Sequence, residues 1–362
     1  DAYIPIWGTY ITTPVIHKDF AKVNIRTKVC LPENADPGLY TIGTVIFDSS
    51  HKEIQKAKTS LTSLLYGDIS QEIVVKNPVL WSPDQPVLYT AKTFLYEGTT
   101  LKDQYSTPFG IRSIEIIPEK GFFLNGEKTV FKGVCNHHDL GPLGAIRRQI
   151  RLLKDMGCNA IRTSHNMPAP ELVKACDEMG MMLMVESFDE WNTPKCKNGY
   201  NLFFDEWAEK DLVNLIWNYR NNPSVVMWCI GNEVPNQWTE GDCKIAKRLQ
   251  DICHREDPSR PVTQGMDAPD AVVNNNFAAV MDVAGFNYRP FRYQVNYKKL
   301  PQGIILGSET ASTVSSRGVY KFPVERKAMQ RYEDHQSSSY DVEHCGWSNL
   351  PEDDFIQHED LP

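Results

Sequence analysis

Long apolar runs are missing from this chain. No stretch approaches the roughly 18 residues that a membrane-spanning helix needs, so no membrane span is expected. A basic stripe is missing too. Lysine and arginine total 38 against 46 aspartates and glutamates, a formal charge of −8, whereas a protein that grips phosphate backbones needs clustered cations. No nucleic-acid partner is expected. The nine cysteines include no CxxC pair, which argues against a thiolate zinc site and against a disulfide scaffold. Their odd number leaves at least one thiol unpaired or bonded to another chain. No GxGxxG or Walker loop follows any strand candidate, so a phosphate-binding turn is not expected. A basic stretch followed by an apolar one, the mark of a leader, does not open the chain at Asp1, and the compartment stays unknown.

What is present divides into two rhythms. With 362 residues, 41% hydrophobic and 23% charged, the chain has room for two globular domains. Through residue 112, short segments rich in Val, Ile, Thr and Tyr ("KVNIRTKVCL", "GLYTIGTVIF", "SQEIVVKNP", "VLYTAKTFLYE") are separated by polar turns. This predicts a β-sandwich of immunoglobulin-like size. From 113 to 362 apolar strands alternate with helices. "TVFKGVC", "NAIRTS", "MMLMVESF", "SVVMWCI", "RPVTQGM", "DVAGFNY" and "GIILGSE" are seven strand candidates. Between them lie helical patterns ended by Gly157, by Gly180 and before Pro223. Cys158, Cys176 and Cys229 fall inside apolar patterns, as small core residues do.

Strand–helix alternation implies a parallel sheet, open or closed, and the strand ends favour a closed one. Nearly every strand ends in reactive residues: "CNHHD", "RTSH", "ESFDEW", "GNE", "QGMD", "FNYR", "SET". An open sheet gathers its chemistry at one switch point, while a (β/α)8 TIM barrel builds its site around a whole rim. The fold class expected is therefore multidomain β and α/β, a sandwich followed by a barrel. Glu233 then sits at the rim after the fourth strand and Glu309 after the seventh, so both face one bowl. Two carboxylates across a cleft are what glycosidic bond cleavage requires. One protonates the leaving oxygen while the other attacks or stabilises the sugar cation. Taken singly, a rim glutamate more often caps a helix or pairs with an arginine. Here each follows an apolar strand through a small residue, Asn232 or Ser308, with no helical pattern before it.

These residues in order, "FLNGEKTVFKGVCNHHD", "NAIRTSHN", "VVMWCIGNEVP", "GFNYR" and "ILGSETAS", together with "IWGTYITTP" and "PFGIRSIEI", resemble glycoside hydrolase family 2, most of all its bacterial β-galactosidases. The resemblance implies a retaining exo-glycosidase that hydrolyses terminal β-D-galactosides through a covalent glycosyl-enzyme. Glu233 would be acid/base and Glu309 nucleophile. It further implies Asn232 on the sugar 2-hydroxyl, Tyr288 hydrogen-bonded to the nucleophile, and His137 and His165 against the sugar. Arg162 would support the Glu309 carboxylate, and Trp191 or Trp238 would stack on a sugar face or pack the rim. The partner is an oligosaccharide or glycan, and copies of the chain could associate as a homo-oligomer. No cofactor is required; a structural or activating Mg2+ enters only because some relatives hold one near the acid/base. Glu190 would match one ligand, but Asn192 stands where a histidine would help. "NHHD" as a metal site lacks further ligand spacing.

Three departures from the family are expected to matter: no jelly-roll domain precedes the sandwich, the connection "GPLGAIRRQ" is short, and the barrel stops before its eighth strand. The chain reads as part of a larger enzyme. Ser312 replaces a histidine that follows the nucleophile in some β-galactosidases, so the recognition loop differs. A β-glucuronidase or other family 2 β-glycosidase, a non-catalytic carbohydrate-binding relative, and a metal-dependent hydrolase are the competing readings.

Overall fold

A computed structural model describes residues 1–61, 66–137, 142–239, 241–289 and 292–310. Its first strands are β1 (Thr9–Ile16), β2 (Phe20–Cys30), β3 (Tyr40–Phe47), β4 (Glu53–Ser60), β5 (Tyr66–Lys76), β6 (Tyr89–Glu97) and β7 (Thr100–Phe109). They form two antiparallel sheets, β1-β2-β5 and β4-β3-β6-β7. β2 shows why: Ala21, Val23, Ile25, Thr27 and Val29 alternate inward while Asn24, Arg26 and Lys28 point out. Ala21, Val23 and Ile25 meet Ile46, Ala91 and Phe109 of the facing sheet. Each large aliphatic chain so buried contributes about 1.5–3 kcal/mol.

Three of these strands were not foreseen. β1 ends in an irregular, half-exposed stretch, and most of β7 is exposed. β4, "EIQKAKTS", has no buried residue. It is an edge strand made by pairing with β3, and its lysines discourage further strand addition.

A small sheet, β8 (Ile114–Ile117), β9 (Gly121–Leu124) and β10 (Glu127–Lys128), follows. Seven parallel strands come next: β11 (Gly133–His137), β12 (Ala160–Ser164), β13 (Met182–Glu186), β14 (Val225–Asn232), β15 (Val262–Met266), β16 (Val283–Asn287) and β17 (Ile305–Glu309). They neighbour one another in chain order. The sheet curls in the manner of a TIM barrel, far enough for the Cys135 thiol of β11 to donate to the Ser308 carbonyl of β17 at 3.1 Å. All seven expected strands are found, although β11 begins later than the apolar run "TVFKGVC" suggests. No eighth strand occurs among the described residues, and residues 311–362 lie outside them.

Alternation decides which side chains enter the barrel. Ile161, Leu183, Val185 and Ala284 pack outward with the helices. Ala160, Met182, Met184 and Val283 point inward, where Phe122 and Leu124 of β9 fill the bottom. The same period turns Arg162 and Glu186, higher on β12 and β13, toward the interior.

The helices α1 (Leu143–Asp155), α2 (Pro170–Met179), α3 (Phe204–Tyr219) and α4 (Cys243–Glu256) match the expected periodic segments. Two short ones, α5 (Pro269–Asn274) and α6 (Tyr293–Tyr297), were not anticipated. Gly180 ends α2 in the left-handed region at φ 73°, and a Cβ there would lie 2.2 Å from the Pro83 carbonyl oxygen. Lys154 crosses the same junction, donating to the carbonyls of Pro83, Met179 and Gly180. Sandwich and barrel are joined by partly and fully buried polar groups. The Asn221 amide brackets β1, accepting from Ile11 N at 2.8 Å and donating to Thr9 O at 2.7 Å. Buried Asp257 accepts from Tyr10 Oη, Trp228 Nε1 and Arg260 Nη1.

Candidate active site

The strand "VVMWCIGN" is buried at every position, and the chain must turn sharply as it leaves it. Glu233 does so at φ 43°, and its backbone N–H donates to the Gly265 carbonyl at 2.7 Å. Tyr288 and Arg289, just past β16, also lie in the left-handed region, at φ 57° and 53°. Non-glycine residues held there cost of order 1–3 kcal/mol each and cluster where function dictates side-chain direction. Tyr288 is fixed by a hydrogen bond from its N–H to the Glu309 carbonyl, 2.5 Å long.

Glu309 and Glu233 line one cavity of 1430 Å³, with His137, Arg162, His165, Asn232 and Tyr288 around them. Their surroundings differ in kind. Glu309 Oε1 is 2.5 Å from Arg162 Nη1, and its Oε2 accepts the Tyr288 hydroxyl at 2.7 Å. His165 Nε2 lies 3.5 Å from Oε1. Burial opposes the Arg162 charge, but nearby anions, Glu186 foremost, outweigh it and hold the guanidinium well above its ordinary value. Burial also pushes the Tyr288 hydroxyl up, with the charge of Glu309 adding to it, so it stays a donor.

Among the described residues no cation contacts Glu233. Its Oε1 accepts one amide hydrogen from Asn287 at 2.7 Å. Burial pushes its carboxyl above the usual range, and the charges of Asp267 and Glu309 add to that. The Asn287 bond and Lys195 pull the other way without overcoming it. One carboxyl is thus raised toward its proton-donating form by burial, while the other sits against a guanidinium and a tyrosine hydroxyl. Such a pair can do acid-assisted displacement.

Asn232 joins the two halves. Its Oδ1 accepts from Arg162 Nη2 at 2.9 Å and from Asn287 Nδ2 at 3.0 Å, and its Nδ2 donates to Asp189 Oδ1 at 3.1 Å. His137 stands edge-on to His165 with ring centroids 4.9 Å apart. Seven of the eight residues expected from sequence therefore converge on one bowl. Trp191 does not. Its ring is fully buried between Phe204 and Phe277, and its indole N–H donates to the Ile230 carbonyl behind β14. It is a core residue, and no sugar can reach it. Trp238 is 63% exposed but does not line the cavity. His138 and Ser312 lie outside the described residues.

The residues considered for magnesium are engaged within the protein. Both Glu190 oxygens accept backbone N–H groups, from Lys195 at 2.6 Å and Asn201 at 2.9 Å. A Cβ on Gly199 would sit 1.7 Å from Glu190 Oε1, so the loop is wrapped tightly around this carboxylate. Asn192 Oδ1 accepts from Asn236. These residues do not fit a cation, and no cluster of three metal-ligating side chains occurs among the described residues.

Sequence reading missed Asn287, Glu186 and Gly265. The first two are strand-end polar residues, the signal that picked out Asn232. Gly265 is legible only in space: a Cβ there would meet Arg162 Nη2 at 2.6 Å and Asn287 Oδ1 at 3.0 Å.

Comparison with known proteins identifies the family. Residues 115–344 match the profile of the TIM barrel domain of glycosyl hydrolases family 2, and residues 4–112 match a second profile of the same family. The chain belongs to glycoside hydrolase family 2. Among family members, beta-galactosidase BoGH2A of Bacteroides ovatus is 34% identical over 96% of this chain and 46% of its own length. A beta-glucuronidase of Bacteroides fragilis is 28% identical over 71% of this chain and 38% of its own length. The crystal structure of a family 2 member from Bacteroides cellulosilyticus superimposes with a TM-score of 0.81 at 35% identity, covering 86% of this chain and 41% of that one. The chain spans less than half the length of these relatives. No helix among its described residues is long and apolar enough to cross a membrane.

Proposed function

We propose that this family 2 chain carries the catalytic centre of a retaining β-glycosidase acting on terminal β-D-galactosides. The observation that carries the reading is the asymmetry of the two carboxylates in one bowl. Glu309, between Arg162 and the Tyr288 hydroxyl, attacks the anomeric carbon. Glu233, its carboxyl raised by burial, protonates the leaving oxygen and then activates water to release the sugar. Asn232, pinned by Arg162, Asn287 and Asp189, keeps an amide hydrogen for the sugar 2-hydroxyl. A retaining mechanism calls for carboxyls about 5–5.5 Å apart.

Galactoside specificity rests on the resemblance to β-galactosidases and on the charge of the bowl. A glucuronide carboxylate would want a cation. Among the described residues at the catalytic end of the cavity the only arginine or lysine is Arg162, which Glu309 and Glu186 already hold. β-Glucuronidase is the second reading, favoured by the named relative from Bacteroides fragilis. Aryl β-galactoside, β-glucuronide, β-mannoside and β-glucoside, offered to the full-length protein and to its Glu233→Gln and Glu309→Gln variants, test both. Galactoside turnover lost in each variant is expected. Glucuronide turnover would keep the mechanism and overturn the sugar. Sugar binding without turnover of any glycoside would refute the catalytic reading.

A further inference from the structure

Glu186 is fully buried on β13 and does not line the cavity. A carboxylate so placed is costly unless both oxygens find charged or donor partners. Both do. Oε1 is 2.8 Å from His165 Nδ1 and Oε2 is 2.6 Å from Arg162 Nε, the latter a close ion pair rather than a linear hydrogen bond. The backbone N–H of Glu186 donates to Thr163 Oγ1, which fixes the strand beneath it.

The two partners of Glu186 are the two groups that reach Glu309 from β12 and the turn after it. Arg162 turns Nη1 to Glu309 and Nη2 to Asn232 because its Nε edge is held by Glu186. His165 is oriented likewise. A carboxylate can only accept, so Nδ1 carries the proton toward Glu186, and Nε2 is the nitrogen left facing Glu309 and the bowl. We infer that Glu186 is the positioning residue of this centre: one buried anion that sets the azimuth of Arg162 and the tautomer and ring plane of His165, and through them the placement of Glu309. The catalytic half of this inference rests on the glycosidase reading proposed above.

The test uses the full-length protein. Glu186→Gln keeps size and burial and removes the charge. The first-turnover release of an aryl leaving group is expected to slow about 10²-fold, the loss that accompanies displacement of a reacting group by roughly 1 Å, with little change in KM. A purely structural role would lower Tm and leave the rate per folded molecule intact. Independently of turnover, 15N-edited NMR should find a proton on His165 Nδ1 in the parent and a changed signal in the variant. Should the Gln variant not fold, Glu186→Asp, which retains the charge, is read in the same two ways and should lose less. A folded Gln variant with a first-turnover rate near that of the parent overturns the inference, as does a parent His165 with no proton on Nδ1. A parent that cleaves no aryl β-glycoside yet shows the Nδ1 proton brings down the glycosidase reading and upholds the Glu186 contacts.

Discussion

Replacing Gly265 with alanine adds one methyl at the point where the two halves of the site meet. The new Cβ would lie 2.6 Å from Arg162 Nη2 and 3.0 Å from Asn287 Oδ1, against the 3.4 Å at which ordinary contact begins. The guanidinium must give way by about 0.8 Å, a large displacement in a close-packed interior. It has little freedom to do so, being held by Glu186, Glu309 and Asn232. Asn287 is fixed by Ser308, Glu233 and Asn232. A shift near 1 Å in the groups that place a nucleophile costs about 10²-fold in rate, and overpacking costs about 1–3 kcal/mol of stability. The expected outcome in single-turnover kinetics on an aryl β-galactoside is therefore a rate about 10²-fold lower and a reduced Tm. Gly144→Ala is the control. Gly144 lies in α1 with nothing within 4 Å of its added Cβ, so the same change there should raise stability by about 0.5–1 kcal/mol and leave the rate alone. A Gly265→Ala enzyme with parental turnover would refute the idea that Arg162 placement against Glu309 limits the chemistry.

Two further outcomes follow from charge. Asn287 donates the hydrogen bond that favours the ionised form of Glu233, so Asn287→Ser should raise that carboxyl further. The alkaline limb of the kcat/KM profile should then move to higher pH, and a limb that moves down or stays would contradict the assignment of Glu233 as acid. Asp177 is buried under the sandwich, and burial raises its carboxyl to about 6 despite hydrogen bonds from Ser224 and Asn222. Because the folded value lies above the unfolded one, its contribution to stability is full below about pH 4 and is lost as pH rises through about 6, up to roughly 3 kcal/mol. Asp177→Asn removes that term, so Tm of the variant relative to the parent should improve between pH 4.5 and 7.5. A difference independent of pH would show that Asp177 does not titrate in this range.

The alternation of Ala21, Val23 and Ile25 along β2, the periodic faces of α1 to α4 and the strand-end glutamates were all legible, because each is a local pattern that one element imposes on its own residues. β4 was not, since "EIQKAKTS" buries nothing and is a strand only because β3 pairs with it. Trp191 was misread for a related reason. "FDEWN" shows a tryptophan near a rim but not which side of the wall it faces, and Phe204 and Phe277 settle that from distant parts of the chain.

Sequence by itself determined the order of strands and helices and the two carboxylates at their ends, since strand period and strand termination are short-range properties. Tertiary structure alone placed Glu309 against Arg162 and the Tyr288 hydroxyl and buried Glu233 with no cation among the described residues in contact, which raises the Glu233 carboxyl. Those differences arise from burial and from contacts between β12, β13, β16 and β17, and no window along the chain contains them.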